Sequence, residues 1–167
     1  MARRTFFAFH FDHDIFRVNQ VRNANVVAGT DRAGFYDHSE YEDAKKQGAQ
    51  AIRNMILRHL EYTTVTVVLI GTYTASRPWV QFEIAESVKR KNGLLGIQIH
   101  HLANSQGYVS QPGPFPVVPV GVEFPVYTWD SNNVPGFATL IEEAGKRSDS
   151  LRRAPRTLLP GWPRTNR

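Results

Sequence analysis

Apolar positions along the chain alternate between short continuous runs and longer rows that recur every three or four residues. The first run, Thr5 to Phe11, is apolar on both faces, which predicts a strand covered by helices on each side of a sheet. A helix follows it, capped at Asp12 or Asp14, with Ile15, Val18, Val21 and Val26 along one stripe. Gly29 to Gly34 reads as a loop, and Phe35-Tyr36-Asp37 as a short second strand or strand-like return. Ser39-Glu40-Tyr41-Glu42 is a capping-box sequence that starts a second helix, whose row runs through Ala44, Gly48, Ala51, Met55 and Leu60 and stops near Tyr62-Thr63-Thr64.

Val65 to Gly71 is short, β-branched and nearly continuous, as a central strand requires. Pro78 suits the first turn of a third helix, capped by Ser76 or Arg77 and stopped at Asn92-Gly93, with Val80, Ile84 and Val88 facing the core. Leu94 to Ile99 supplies the next strand. Strands alternating with helices of this length imply right-handed crossovers and a three-layer α/β sandwich around a mostly parallel sheet. Beyond His101 the pattern weakens into a long loop with a proline-rich stretch from Pro112 to Pro125. Val122 to Trp129 is then a last strand, placed at an edge by Pro125, and Pro135 to Arg147 a closing helix.

A length of 167 residues fits one compact domain, and no apolar run reaches the 18 or so residues of a membrane span, so a soluble protein is expected. With no cysteine there are no disulfides, thiol nucleophiles or thiolate zinc sites, and the cytoplasm is the default location. The net charge of +5 is concentrated at one end. Residues 146–167 hold seven Lys/Arg and one Asp, leaving thirteen basic and fourteen acidic residues in 1–145. The division expected is a domain over 1–147 and a basic tail over 148–167. Without interleaved aromatics or a nucleic-acid motif, the tail reads as a solubilising or docking segment, so nucleic acid is not expected as a partner.

Open parallel sheets bind ligands outside the carboxyl ends of their strands, which brings Phe9-His10, Tyr36-Asp37-His38 and Gly71-Thr72-Tyr73 to one rim. The third helix begins there. Trp79 and Glu83 are spaced i, i+4 on it, so a ring that stacks on a substrate and a carboxylate that steadies a cation share one face. The same spacing also fits Trp79 as core and Glu83 as a solvated helix charge. His10-Phe11-Asp12-His13-Asp14 has the look of a metal cluster, but a strand-to-helix junction is expected to splay these side chains apart, so no metal is expected. His100-His101 reads as a polar strand end, the Gly29–Gly34 loop lacks the Gly-Lys-Ser/Thr of a P-loop, and Ser76 lacks the glycine frame of a hydrolase nucleophile.

Several segments carry a resemblance. Phe6-Phe7-Ala8-Phe9-His10, Phe16-Arg17-Val18-Asn19, Glu42-Asp43-Ala44-Lys45-Lys46, Val68-Leu69-Ile70-Gly71, Trp79-Val80-x-x-Glu83, Leu95 to His100 and Tyr127-Thr128-Trp129-Asp130 together resemble the TIR-like proteins of the bacterial Thoeris antiphage system, the ThsB type. The likeness covers most of residues 1–145. It implies a flavodoxin-like TIR fold whose members cleave NAD and, on sensing phage, release a cyclic ADP-ribose isomer or another ADP-ribose conjugate. It matches Glu83 to the catalytic helix glutamate, Phe9, His10 and Asp37 to parts of the nucleotide pocket, and Trp79 to its border, with Thr72 on the same rim. NAD is then substrate and no separate cofactor is needed. Self-association on activation, a phage-derived trigger and a nucleotide-sensing effector reached through a diffusible product follow as partners. Ala8 departs from the serine of relatives, and the C-terminal region is shorter than theirs.

One carboxylate suffices for this chemistry, because nicotinamide in NAD is already a cationic leaving group and departs without the general acid that ordinary glycosides need. Two other classes stay open: a non-catalytic TIR-like adaptor that binds a protein through its second and third helices or its loops, and a nucleic-acid module built on the arginine-rich tail.

Overall fold

The computed structural model describes residues 3–27 and 35–154. Strand β1 (Thr5–Ala8) leads into α1 (Phe11–Val27), and after α2 (His38–Gln47) and α3 (Ala49–Leu60) the chain enters β2 (Val65–Ile70). A single 3-10 turn, Thr74–Ser76, precedes α4 (Pro78–Lys89), β3 (Gly93–Gln98), β4 (Val126–Thr128) and α5 (Val134–Arg153). The sheet has the order β1-β2-β3-β4 and every pairing is parallel, with Thr5 opposite Val65, Val65 opposite Gly93 and Gly96 opposite Val126. This is the α/β architecture that the alternating pattern predicts, helices α4 and α5 both packing on the sheet.

All six residues of β2 are buried, as a central strand demands. Its one polar side chain, Thr66, donates to Ser87 Oγ at 2.7 Å and accepts from Asn92 Nδ2 at 3.1 Å, so no hydroxyl is left unpaired in the core of this strand. Gly93, expected to stop a helix, instead opens β3, because a Cβ there would sit 1.8 Å from Ala144 O and hold α5 off the sheet. Lys91, at φ +59°, makes the left-handed turn that ends the preceding helix.

Several elements differ from expectation. The first strand ends at Ala8, and α1 starts at Phe11, so Asp12 and Asp14 lie inside its first turn rather than at its cap. Val26 has its side chain, and the Gly29–Gly34 loop its whole length, outside the described residues. Phe35 to Asp37 pairs with no strand; Phe35 stacks on Phe7 with ring centroids 3.8 Å apart, so aromatic contact rather than a ladder fixes this segment. Asp37, not Ser39, caps α2, its carboxylate accepting Glu40 N–H at 2.8 Å. The expected second helix is two helices, broken at Gly48 with φ +106°, a conformation that only glycine adopts without strain. The edge strand shrinks to Val126–Thr128, and the closing helix continues to Arg153, past the point where the basic tail was expected to begin. The tail from residue 155 onward lies outside the described residues.

Candidate active site

Pro78 fixes the first turn of α4 just beyond the carboxyl end of β2. From there the helix turns Val80, Ile84 and Ser87 inward, and Glu83 with them. Glu83 is wholly buried, at 0% exposure, so it is not a solvated helix charge. Tyr36 donates its phenol O–H to Glu83 Oε1 at 3.0 Å, while Oε2 has no partner. Burial pushes the Glu83 carboxyl well above the usual carboxylate range, and the Tyr36 hydrogen bond opposes that rise without cancelling it. Tyr36 is itself pushed up, by burial first and by the Glu83 carboxyl second. The result is a buried carboxyl in contact with a phenol, with one oxygen left over.

Aromatic rings close this acid in. Tyr36 stacks on Phe9 at 5.3 Å, on Phe11 at 6.2 Å and on Tyr41 at 6.1 Å between centroids. Phe9 is therefore next to Glu83's partner but is a core residue here. His10 is 9% exposed, its Nδ1 lacks a partner, and burial followed by the Arg77 charge holds its imidazole below the usual range. Asp37 is exposed and occupied as a cap, its carboxyl lowered by the Glu40 N–H and the Ser39 hydroxyl. Trp79 is half-buried and packs edge-on against Phe82 at 5.7 Å. Thr72 donates to Gln111 O, which ties β2's end to the proline-rich segment.

That segment is a strap over the rim. A Cβ on Gly113 would fall 2.4 Å from both Gly71 O and Thr72 O, so the two backbones touch there. Arg17 fastens the strap from α1: it is 1% exposed and donates to Leu102 O at 2.8 Å, Tyr108 O at 3.2 Å and Ser110 Oγ at 2.7 Å. Its countercharge is Asp14, also 1% exposed, at 3.3 Å. A concavity of about 450 Å³, lined by Val88, Asn92, Gly93, Leu94, Lys146 and Leu151 among others, opens at the opposite end of the sheet; it meets the far end of the strap at Gly121 to Glu123 but touches neither Glu83 nor Tyr36.

Thus the structure joins Glu83 to Phe9 through Tyr36, and leaves Asp37 and Thr72 in separate hydrogen bonds. Residues 6–104 match the family model for the Thoeris protein ThsB, TIR-like domain. The chain belongs to the ThsB TIR-like family. A relative from Bacillus cereus (strain MSX-D12), named "Putative cyclic ADP-D-ribose synthase ThsB1", is 40% identical over 126 residues, which cover 74% of this chain and 66% of that protein. The family match takes in β1 through β3 and therefore both Tyr36 and Glu83.

Within this TIR-like domain, sequence reasoning placed Tyr36 on the rim but did not name it as a site residue. Its partner is 47 residues away, and no local spacing marks such a pair. The Asp14–Arg17 pair was also missed, although a signal existed. Both residues share the helical row of Val18 and Val21, so an i, i+3 acid and base stood where only apolar side chains were expected. Among the described residues no helix is long and apolar enough to cross a membrane.

Proposed function

We propose that this chain is an NAD-processing enzyme that cleaves the nicotinamide–ribose bond and makes a cyclic ADP-ribose-type signal in antiphage defence. The observation that carries the reading is the buried pair of Glu83 on α4 and Tyr36 from the segment before α2, in a ThsB TIR-like domain. The name of the 40% identical relative supports the product class. As the glycosidic bond breaks, positive charge grows on the ribose, and an ionised Glu83 stabilises that charge more than it stabilises the ground state. Nicotinamide leaves without a proton. The fate of the ribosyl cation, cyclisation or capture by water, is set by how the dinucleotide folds and how far water is excluded.

A carboxyl with no exposed surface cannot touch a dinucleotide, so activation must move Tyr36 and its stacked rings aside. Opening also favours the ionised form of Glu83, because it removes the burial that raises its pKa. Phe9, His10, Asp37, Thr72 and Trp79 then border the ribose and nicotinamide. A phage-derived trigger and self-association supply the energy of opening, and the product reaches a nucleotide-sensing effector by diffusion. Free nicotinamide is the readout for purified protein given NAD with and without phage lysate. Glu83→Gln should lower release on the order of a hundredfold or more. Release at the wild-type rate by that variant would end the assignment, and mass spectrometry of the nucleotide product distinguishes a cyclic isomer from linear ADP-ribose.

A second reading rests on the strap. Tyr108, Val109, Phe115, Val117 and Val120 are all exposed, Val117 at 92%, which suits a protein-binding adaptor. Tight partner binding unchanged by Glu83→Gln, with no nicotinamide release under any trigger, would favour it.

A further inference from the structure

The first turn of α1 places His10, His13 and Asp14 at i, i+3 and i+4, and the Asp14 N–H to His10 O bond of 3.0 Å shows that the turn is closed. The side chains do not splay. One ring nitrogen from each histidine and one carboxylate oxygen from Asp14 lie within 4.8 Å of one another. The two imidazoles are nearly parallel, 12° between planes with centroids 5.8 Å apart, and His13 Nδ1 is 2.9 Å from Asp14 Oδ1.

Two further facts point to a missing ligand. His10 Nδ1 and Asp14 Oδ2 are both buried and both lack a hydrogen-bond partner, on side chains that are at least nine-tenths covered. Leaving such groups desolvated and unpaired is destabilising, so a native site offers them a partner. Arg17 is not that partner. It meets only Oδ1, at 3.3 Å, and spends its other donors on Leu102 O, Tyr108 O and Ser110 Oγ. Gly71 lets the Asp14 carboxylate pack against its backbone at the end of β2, since a Cβ there would lie 2.1 Å from Oδ2.

We infer that His10, His13 and Asp14 form a binding site for a divalent transition metal of the zinc class, at the carboxyl rim of the sheet. Two imidazoles and one carboxylate suit Zn²⁺, whereas Mg²⁺ and Ca²⁺ prefer an all-oxygen shell. Bonds of about 2.0–2.2 Å to three such donors leave a fourth tetrahedral position open. From a spacing of up to 4.8 Å the ligand atoms need draw together by at most about 1.5 Å to reach tetrahedral spacing. Tyr73, half-exposed, packs edge-on to His13 at 4.9 Å beside the cluster. The ion would pin the start of α1 beneath the strap, because Asp14 also holds Arg17. The site shares His10 with the border of the proposed NAD pocket but does not include Glu83, so loss of metal binding in His13→Gln and loss of nicotinamide release in Glu83→Gln are separate outcomes.

The test uses the full chain, stripped with a chelator and given ZnCl₂ alone. Retained metal is measured after desalting, and the thermal midpoint is read with and without Zn²⁺. Wild type should retain about one equivalent and gain several degrees. His13 is partly exposed, so His13→Gln should fold, keep the metal-free midpoint and lose both the retained equivalent and the shift. His101→Gln, at the far histidine pair, should behave as wild type. Retention by wild type no greater than by His13→Gln, or equal loss in His101→Gln, would overturn the site.

Discussion

The two ends of the sheet treat their buried polar groups differently. At the amino end nearly every donor and acceptor is matched: Arg3 bridges Glu142 and Asp149, each at 2.9 Å, and Asn92 donates to Thr63 and Thr66 while accepting from Arg152. Ser148 donates to Lys91 O at 2.7 Å, and Thr64 Oγ1 is the one buried side-chain atom without a partner at this end among the described residues. At the carboxyl end, unpartnered atoms gather on His10, Asp14, Glu83 and His100. The contrast separates two uses of polarity in one core. A saturated network holds elements together and has nothing left to offer, whereas an unsaturated one retains lone pairs for a substrate or an ion at the expense of stability.

The largest expected effect is at Arg17. Arg17→Met removes the cation from a buried pair and leaves the Asp14 carboxylate with only the partly exposed His13 ring beside it, which should cost about 3–5 kcal/mol in urea unfolding. A loss under about 1 kcal/mol would mean that the carboxyl end carries no buried ion pair. Next comes Tyr36→Phe, which strips Glu83 of its one hydrogen bond and should cost about 1–3 kcal/mol. A Tyr36→Phe protein as stable as wild type would dissolve the link between the rings and the acid.

A smaller effect concerns pH. Glu83 has a folded-state pKa above its unfolded value, so the unfolded chain gives up this proton first and stability falls as pH rises through the range between the two. Glu83→Gln should remove that decline and be the more stable protein at pH 8, on the order of 1 kcal/mol. Thermal midpoints from pH 5 to 8 compare the two, and parallel curves would show Glu83 ionised in the fold. Arg3→Ala, at the saturated end, should matter least, because its carboxylate partners are solvent-accessible. Its effect should vanish at about 1 M salt, where the screening length is about 3 Å. An effect that survives salt and exceeds that of Arg17→Met would reverse the ranking of the two ends.

Much of the frame was legible in the sequence because local signals set it. The β-branched run of β2, proline at the first turn of α4 and the order of elements all follow from neighbours a few residues apart. Glu83 was legible as a candidate through its turn of helix and its family likeness. Its burial was not, since that depends on Tyr36, Phe9, Phe11 and Tyr41 arriving from other segments. Gly48 was counted within an apolar row, although a glycine is equally suited to ending one helix and starting another. The histidines of α1 were expected to diverge because the strand was read as running through Phe11. Ending it at Ala8 puts His10 at the mouth of a helix turn and brings the three side chains to one face.

The reach of α5 bears on any attempt to trim the chain. Cutting after Arg147, where basic composition takes over, would amputate Ser148, Asp149 and Arg152 from a continuous helix. Lys91 O, one arm of Arg3, Thr63 O and Asn92 Oδ1 would each lose a bond at that stroke. A shortened protein that keeps its arginines through position 153 should purify as a folded species, and one that sheds them should not.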